Sequence, residues 1–276
     1  MILPSIYKKY KHDIYPKISN FRGTHLILRV LLRVKSRDLQ RIQEKPRSIF
    51  DEEWQNLFIL DDCRHDTFEQ VFGNSKFRFS LGSATPEFIE KTFSEGDFSD
   101  VVYVTGNPHF YPEIFKELTG RQIEDVFHAV YNTYETDWDE DKQVVLPEAL
   151  ARDAKNARKM FPEKRIIVHF MQPHVPFLTS ELEQSGNYMV DENKKKEIGS
   201  EIKRAELGEL PADVVRKHYR ENLEYIKEDI QKLADELKGT TIVTSDHGEL
   251  LGEAGLWGHP SGSDIGILRK VPWKEI

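Results

Sequence analysis

The chain reads as an α/β protein with a mostly parallel central sheet sandwiched by helices. Three features predict this. From residue 56 onward, short β-branched apolar runs alternate with helical patterns. The chain has 276 residues, enough for one large domain with a sizeable core. Residues capable of chemistry follow several of the apolar runs, where the carboxyl ends of parallel strands place ligand-binding groups.

The elements follow in order. Residues 24–44 predict a basic amphipathic helix: Leu26, Ile27, Val30, Leu31, Val34 and Leu39 fall near helical spacing, with Arg29, Arg33, Lys35 and Arg37 between them. Lys45-Pro46 ends it. Strands are expected at 56–60, 76–81, 100–105, 126–131, 165–171 and 240–245, the last being the final clear strand. Helices are expected at 85–94, 108–118, 146–161 and 211–237. The 211–237 pattern sets Val215, Tyr219, Leu223, Ile226, Ile230 and Leu233 on one face. The organisation predicted is a basic helical arm over 1–48 and a catalytic domain over 49–276.

Composition is that of an ordinary globular protein, 38% hydrophobic and 31% charged. The single cysteine, Cys63, excludes an internal disulfide and any zinc site built on several thiolates. With no run of 18 apolar residues, no transmembrane helix is expected, and the N-terminus lacks the order of a signal peptide. A cytoplasmic protein is the expectation, with peripheral membrane contact left open. Residues 1–48 carry 12 Lys and Arg against 3 Asp and Glu, although the whole chain is at −8. Such an arm either meets an anionic surface or packs on the acidic body.

Four strand ends carry the chemistry. Asp246 and His247 leave an apolar strand onto Gly248, a carboxylate and imidazole pair suited to Zn²⁺ or Mn²⁺. Gly248 would let the backbone turn close to the ion. Asp246 is equally suited to capping a helix. Asp61-Asp62 closes the first strand; paired carboxylates need a cation or an arginine, and either is also a good helix cap. Ser83-Ala84-Thr85-Pro86 opens a helix, where Thr85 is both a natural N-cap and a hydroxyl that a metal could activate beside an anion-binding helix end. His169 and His174 flank Phe170-Met171-Gln172-Pro173, and His259 lies in Trp257-Gly258-His259-Pro260. Imidazoles so placed bind metals, contact anions or protonate leaving groups; each alone also fits a structural hydrogen bond. Dinucleotide, Walker A and G-x-S-x-G fingerprints are absent, and nucleic acid is not an expected partner.

These segments, in this order, resemble the alkaline phosphatase and sulfatase superfamily. The likeness rests on Ile59-Leu60-Asp61-Asp62, Ser83-Ala84-Thr85-Pro86, His169 to Pro176, and Ser245-Asp246-His247-Gly248-Glu249 with Leu251-Gly252-Glu253 and Gly258-His259. The resemblance implies an alkaline-phosphatase-like fold and a divalent ion (Zn²⁺, Mn²⁺, Mg²⁺ or Ca²⁺) held by Asp61, Asp62, Asp246 and His247, with Thr85 on the ion as nucleophile. It also implies that His174 and His259 serve a second metal or the leaving group. No Asp near His174 completes a second set, so one ion is expected. Sulfatases oxidise a Cys at the position two before Pro86; here that residue is Ala84, and Cys63 does not match. The reading therefore moves from sulfatase to a phosphate-ester hydrolase or transferase, with Arg64 a candidate anion clamp because a guanidinium matches phosphate bidentately. The substrate would be a small-molecule, glycan or lipid-linked ester. The alternatives are a catalytically silent relative that binds a glycan or anion, and a sulfatase-type hydrolase using Thr or Ser.

Overall fold

The computed structural model describes residues 39–182 and 200–276. In chain order the elements are β1 (Asn56–Leu60), α1 (His65–Phe72), β2 (Lys76–Phe79), α2 (Thr85–Phe93), β3 (Phe98–Thr105), α3 (Pro112–Thr119), β4 (Phe127–Asn132) and α4 (Thr133–Thr136). A small hairpin of β5 (Trp138–Asp139) and β6 (Val144–Val145) leads to α5 (Pro147–Met160), β7 (Arg165–Phe170), α6 (Glu201–Glu206), α7 (Ala212–Tyr225), α8 (Lys227–Leu237) and β8 (Thr241–Ser245). A second hairpin, β9 (Leu250–Leu251) with β10 (Trp257–Gly258), precedes α9 (Gly266–Arg269) and β11 (Lys270–Glu275).

The main sheet runs β2-β11-β8-β1-β7-β3-β4. Strands β8, β1, β7, β3 and β4 pair in parallel. Strand β11 is antiparallel to both neighbours, so β2 again runs with the parallel set. Period-two alternation along the strands sorts side chains to two faces. Phe58, Leu60, Val168, Phe170 and Val243 meet α1, α5, α7 and α8 on one side. Leu57, Ile59, Ile167, Tyr103 and Trp273 meet α2 and α3 on the other. Buried on both faces, the strands read as continuous apolar runs, which is why the sequence pattern found them.

Four expectations change. Residues 24–38 of the predicted basic helix lie outside the described residues, and 39–44 are not helical. Arg41 instead forms an isolated antiparallel bridge with Ile265 and an ion pair with Asp264. The 108–118 helix divides into a 3-10 turn, Pro108–Phe110, and α3, because Pro112 confines Tyr111 to an extended conformation. The 211–237 helix breaks at Ile226 although no Pro or Gly marks it; α7 packs on α1 and α6, and α8 on α5. The sheet also gains β11 beyond the strand expected to be its last. Pro272 argued against a strand there, but it sits where the β8 pairing has ended, and its carbonyl accepts from Thr244 Oγ1 at 2.7 Å.

Phe93, fully buried, meets the rings of Phe88, Phe98, Tyr103, Phe110, Phe115 and Phe127 at centroid distances of 5.1–6.2 Å. Phe93→Ala is expected to cost about 3–5 kcal/mol of unfolding free energy, read as a lower denaturant midpoint at unchanged slope.

Candidate active site

Strand ends at one edge of the sheet deliver the site. Asp61 and Asp62 follow β1, Asp246 and His247 follow β8, His169 lies in β7 with His174 just beyond it, and Thr85 opens α2. The hairpin β9–β10 begins just after Glu249 and ends just before His259. All of these side chains but His259 are buried; that of His259 is 27% exposed and marks the opening to solvent.

Two clusters result. The donor atoms of Asp61, His169 and Asp246 lie within 4.8 Å of one another, as do those of Asp62, His174, Glu249 and His259. They adjoin: the His247 and His259 rings are 4.6 Å apart and those of His174 and His259 are 5.4 Å apart. Thr85 sits in the first cluster, its Oγ1 2.8 Å from Asp246 Oδ2, 3.1 Å from His247 Nε2 and 3.4 Å from Asp61 Oδ1. It does not cap α2. Ala84 holds the cap position and Thr85 is the first helical residue, so the hydroxyl is turned to the cluster. Nor do Asp61 and Asp62 cap α1, whose N-cap is Arg64.

The imidazoles are set by what their other nitrogen does. His247 Nδ1 faces the Gly248 carbonyl at 3.0 Å and His174 Nδ1 faces the Val175 carbonyl at 2.7 Å. A carbonyl only accepts, so Nδ1 carries the hydrogen and Nε2 the lone pair, the form that ligates metals. His259 Nδ1 meets Glu249 Oε2 at 2.8 Å. Burial holds His169 and His174 down at about 4, so both are neutral near pH 7. Burial also works against a charged His259, but the Glu249 carboxylate outweighs it and leaves the group above its ordinary value.

Electrostatics call for cations here. Four buried carboxylates, Asp61, Asp62, Asp246 and Glu249, converge. Burial first, then neighbouring carboxylates, push Asp61 and Asp62 well up. For Asp246 and Glu249 burial pulls the same way, but His247, His169 and the Thr85 and Asp62 hydrogen bonds together outweigh it at Asp246, and His259, Asp62 and His174 together at Glu249, so both fall below the usual range. Both Asp62 oxygens and His169 Nε2 are buried with no hydrogen-bond partner. Such groups are costly unless paired or ligated. Either cluster could hold a divalent ion, and Asp62 and Glu249 are the carboxylates that the sequence did not place around His174.

Arg64 stands differently from its expected role. Its guanidinium donates to Asp66 at 2.6 and 2.9 Å and to Glu253 at 2.7 Å, which ties α1 to the β9 hairpin. Ser83 is likewise occupied: its one hydroxyl hydrogen lies between Glu87 Oε2 at 2.8 Å and the Pro260 carbonyl at 2.9 Å, and its oxygen accepts from Ser263 N–H. Sequence reasoning passed over Asn107 and His109. Asn107 Nδ2 donates to Asp61 Oδ2 at 2.8 Å, and its Oδ1 accepts from both His109 N and Nδ1 at 2.9 Å. The signal was present: Thr105-Gly106-Asn107-Pro108-His109 follows a β-branched strand, as the other site segments do.

No family model matches the chain, and no curated protein matches it. Solved structures do. The integral membrane protein lipooligosaccharide phosphoethanolamine transferase A of Neisseria meningitidis is 15% identical, with a TM-score of 0.51 over 86% of this chain and 50% of that one. This chain thus spans about half the length of that relative. The soluble domain of the same transferase is 14% identical, with a TM-score of 0.50 over 86% and 80%. A weaker likeness, TM-score 0.40 at 13% identity over 89% and 67%, is to an alkaline phosphatase superfamily protein of Vibrio parahaemolyticus. The chain shares the α/β fold of that transferase's soluble domain. Among the described residues no helix is long and apolar enough to cross a membrane. The expectation of a cytoplasmic protein draws no support from these likenesses.

Gly248 is required by packing rather than by closeness to an ion. Its N–H donates to the Leu268 carbonyl at 2.9 Å, and a Cβ there would drive into the Ile267 carbonyl oxygen. Gly248→Ala is expected to cost about 1–3 kcal/mol, seen as a lower melting temperature, and to weaken cation uptake by displacing His247.

Proposed function

We propose that this protein is a metal-dependent transferase or hydrolase of phosphate esters that works through Thr85. The observation that carries the reading is the Thr85 hydroxyl, held at the start of α2 within hydrogen-bond reach of Asp246 and His247. The name of the phosphoethanolamine transferase that superposes both as the whole membrane protein and as its soluble domain supports phosphate-ester chemistry.

Asp61, His169 and Asp246, with His247 and Thr85 beside them, would hold one divalent ion, and Asp62, His174, Glu249 and His259 a second. Bound there, the ions would supply Lewis acidity and offset the carboxylate charge. Thr85 Oγ1 attacks phosphorus, and its proton passes to Asp246 Oδ2, 2.8 Å away. The bond from phosphorus to the leaving oxygen breaks as the Thr85–phosphorus bond forms. The departing oxygen takes its proton from water at the solvent opening beside His259, whose Nδ1 is held by Glu249 and whose Nε2 would face the second ion. Water or an acceptor hydroxyl then attacks the phosphothreonine, the bond from phosphorus to Thr85 Oγ1 breaks, the attacking group gives its proton to solvent at the opening, and Thr85 takes back the proton held by Asp246. The α2 N-terminus favours the anionic group throughout. A small-molecule, glycan or lipid-linked ester fits this chemistry. The basic segment 1–48 suits an approach to an anionic surface that carries such an ester.

Thr85→Ala is expected to lower turnover of an aryl phosphate by about a thousand-fold or more while bound metal, measured by elemental analysis, stays near the wild-type level. Normal turnover in this variant would remove Thr85 as nucleophile. Chelation of wild-type protein should abolish turnover, and re-addition of Mn²⁺ or Zn²⁺ should restore it. A matched aryl sulfate should be the poorer substrate.

A further inference from the structure

Asp61 and Asp62 are neighbours in sequence, yet their carboxylates enter different clusters. The change of direction comes from the backbone: Asp62 has φ 59°, in the left-handed region that a side chain with a Cβ occupies only when its surroundings impose it. Its carboxylate oxygens meet only the Glu249 carboxylate of the same cluster, and no N–H or hydroxyl of the described residues directs them. The main chain around Asp62 must therefore aim the side chain.

That main chain is held from outside. Asp62 N–H donates to Asp246 Oδ1 at 3.2 Å and Cys63 N–H to Ser245 Oγ at 2.9 Å. The remaining two contacts belong to one residue of α7. Arg64 N–H donates to Tyr219 Oη at 2.9 Å, and Tyr219 Oη donates to the Asp62 carbonyl at 2.7 Å. One buried hydroxyl thus closes the turn on both sides. Three residues on, on the same helix face, Asn222 Nδ2 donates to the carbonyls of Pro173 and His174 at 3.1 and 3.3 Å, and Asn222 Oδ1 accepts from Leu178 N–H at 2.9 Å. Tyr219 and Asn222 are both fully buried. Among the described residues neither hydrogen-bonds directly to Asp61, Thr85, Asp246 or His247: Asn107 holds Asp61, and Asp246 accepts from the N–H groups of Asp62 and His247 and from Ser245 Oγ.

We infer that helix α7 is the positioning element of the second cation site: Tyr219 aims Asp62 and Asn222 holds the His174 backbone, while the first site is built without them. The inference rests on the proposed two-cation reading. Partners of ligands outside the coordination sphere typically change metal affinity by about 10- to 100-fold. Tyr219→Phe keeps the ring and its packing against Phe177 and removes only the two hydrogen bonds.

The test is Mn²⁺ titration of the whole chain, followed by calorimetry and by the spin-resonance signal of bound Mn²⁺, with melting temperature in parallel. Wild type should take up two ions. Tyr219→Phe and Asn222→Ala should each weaken one of the two by about ten-fold or more and leave the other unchanged. Asp62→Gly should lose the same ion, since it relieves the left-handed strain but deletes the ligand. Adding Tyr219→Phe to Asp62→Gly should change Mn²⁺ uptake no further, because Tyr219 acts through Asp62. Uptake of fewer than two ions by wild type would defeat the two-cation reading itself. Two ions in wild type, with unchanged affinities in Tyr219→Phe, would overturn the role given to α7. So would parallel weakening of both ions with a lower melting temperature, or a Tyr219→Phe effect that survives in Asp62→Gly.

Discussion

Four carboxylates buried side by side are the constraint around which this molecule is arranged. Asp61, Asp62, Asp246 and Glu249 gather where β1 and β8 end, and burial disfavours the charge on every one of them. An arginine could have neutralised part of this charge. Arg64 is close by in sequence, but Asp66 and Glu253 engage it. Imidazoles face the carboxylates instead, with Nδ1 of His174, His247 and His259 tied to backbone carbonyls or to Glu249. That arrangement leaves charge for cations to complete, and it places the Thr85 hydroxyl on the same donors.

Holding such a site requires a frame that does not relax away from it. The β1 turn is fastened by Asp246, Ser245 and Tyr219, and the Asp246 carbonyl accepts from Ser80 Oγ. Around α2, Glu87 plays a comparable part. Its carboxylate accepts from Ser83 N at 2.9 Å, Gly262 N at 3.0 Å, Lys91 at 2.6 Å and Arg269 at 2.7 Å. These bonds outweigh burial and hold the group at about 2. Glu87 therefore joins the helix that carries Thr85 to the loop that follows His259. Unlike Asp62, it is satisfied by N–H groups and cationic side chains of the protein alone, which marks it as structural.

The two clusters also explain why neighbouring residues can differ in role. Asp61 continues the direction of a buried strand and meets Asn107 and Thr85. One left-handed residue later, Asp62 faces His174, Glu249 and His259. A single backbone torsion, supported from α7, sends two carboxylates that are neighbours in sequence into two different side-chain clusters.

Much of the sheet was legible because strands buried on both faces must be apolar throughout, and the motifs at Asp61, Thr85, His174, Asp246 and His259 stood where those strands end. The sequence by itself determined the α/β class, the strand ends as the location of chemistry, and the residue types able to carry it. Tertiary structure decided the rest. Which ligand enters which cluster depends on the Asp62 torsion and on Glu249 folding back beside His259, both set by distant side chains. The same holds for Arg64, whose donors were taken by Asp66 and Glu253. It holds too for β11, whose Pro272 is tolerated only because the β8 ladder stops beside it, and for the break between α7 and α8. Local patterning reports what a segment can bury; the neighbours brought by the fold determine where each polar group finds its partner.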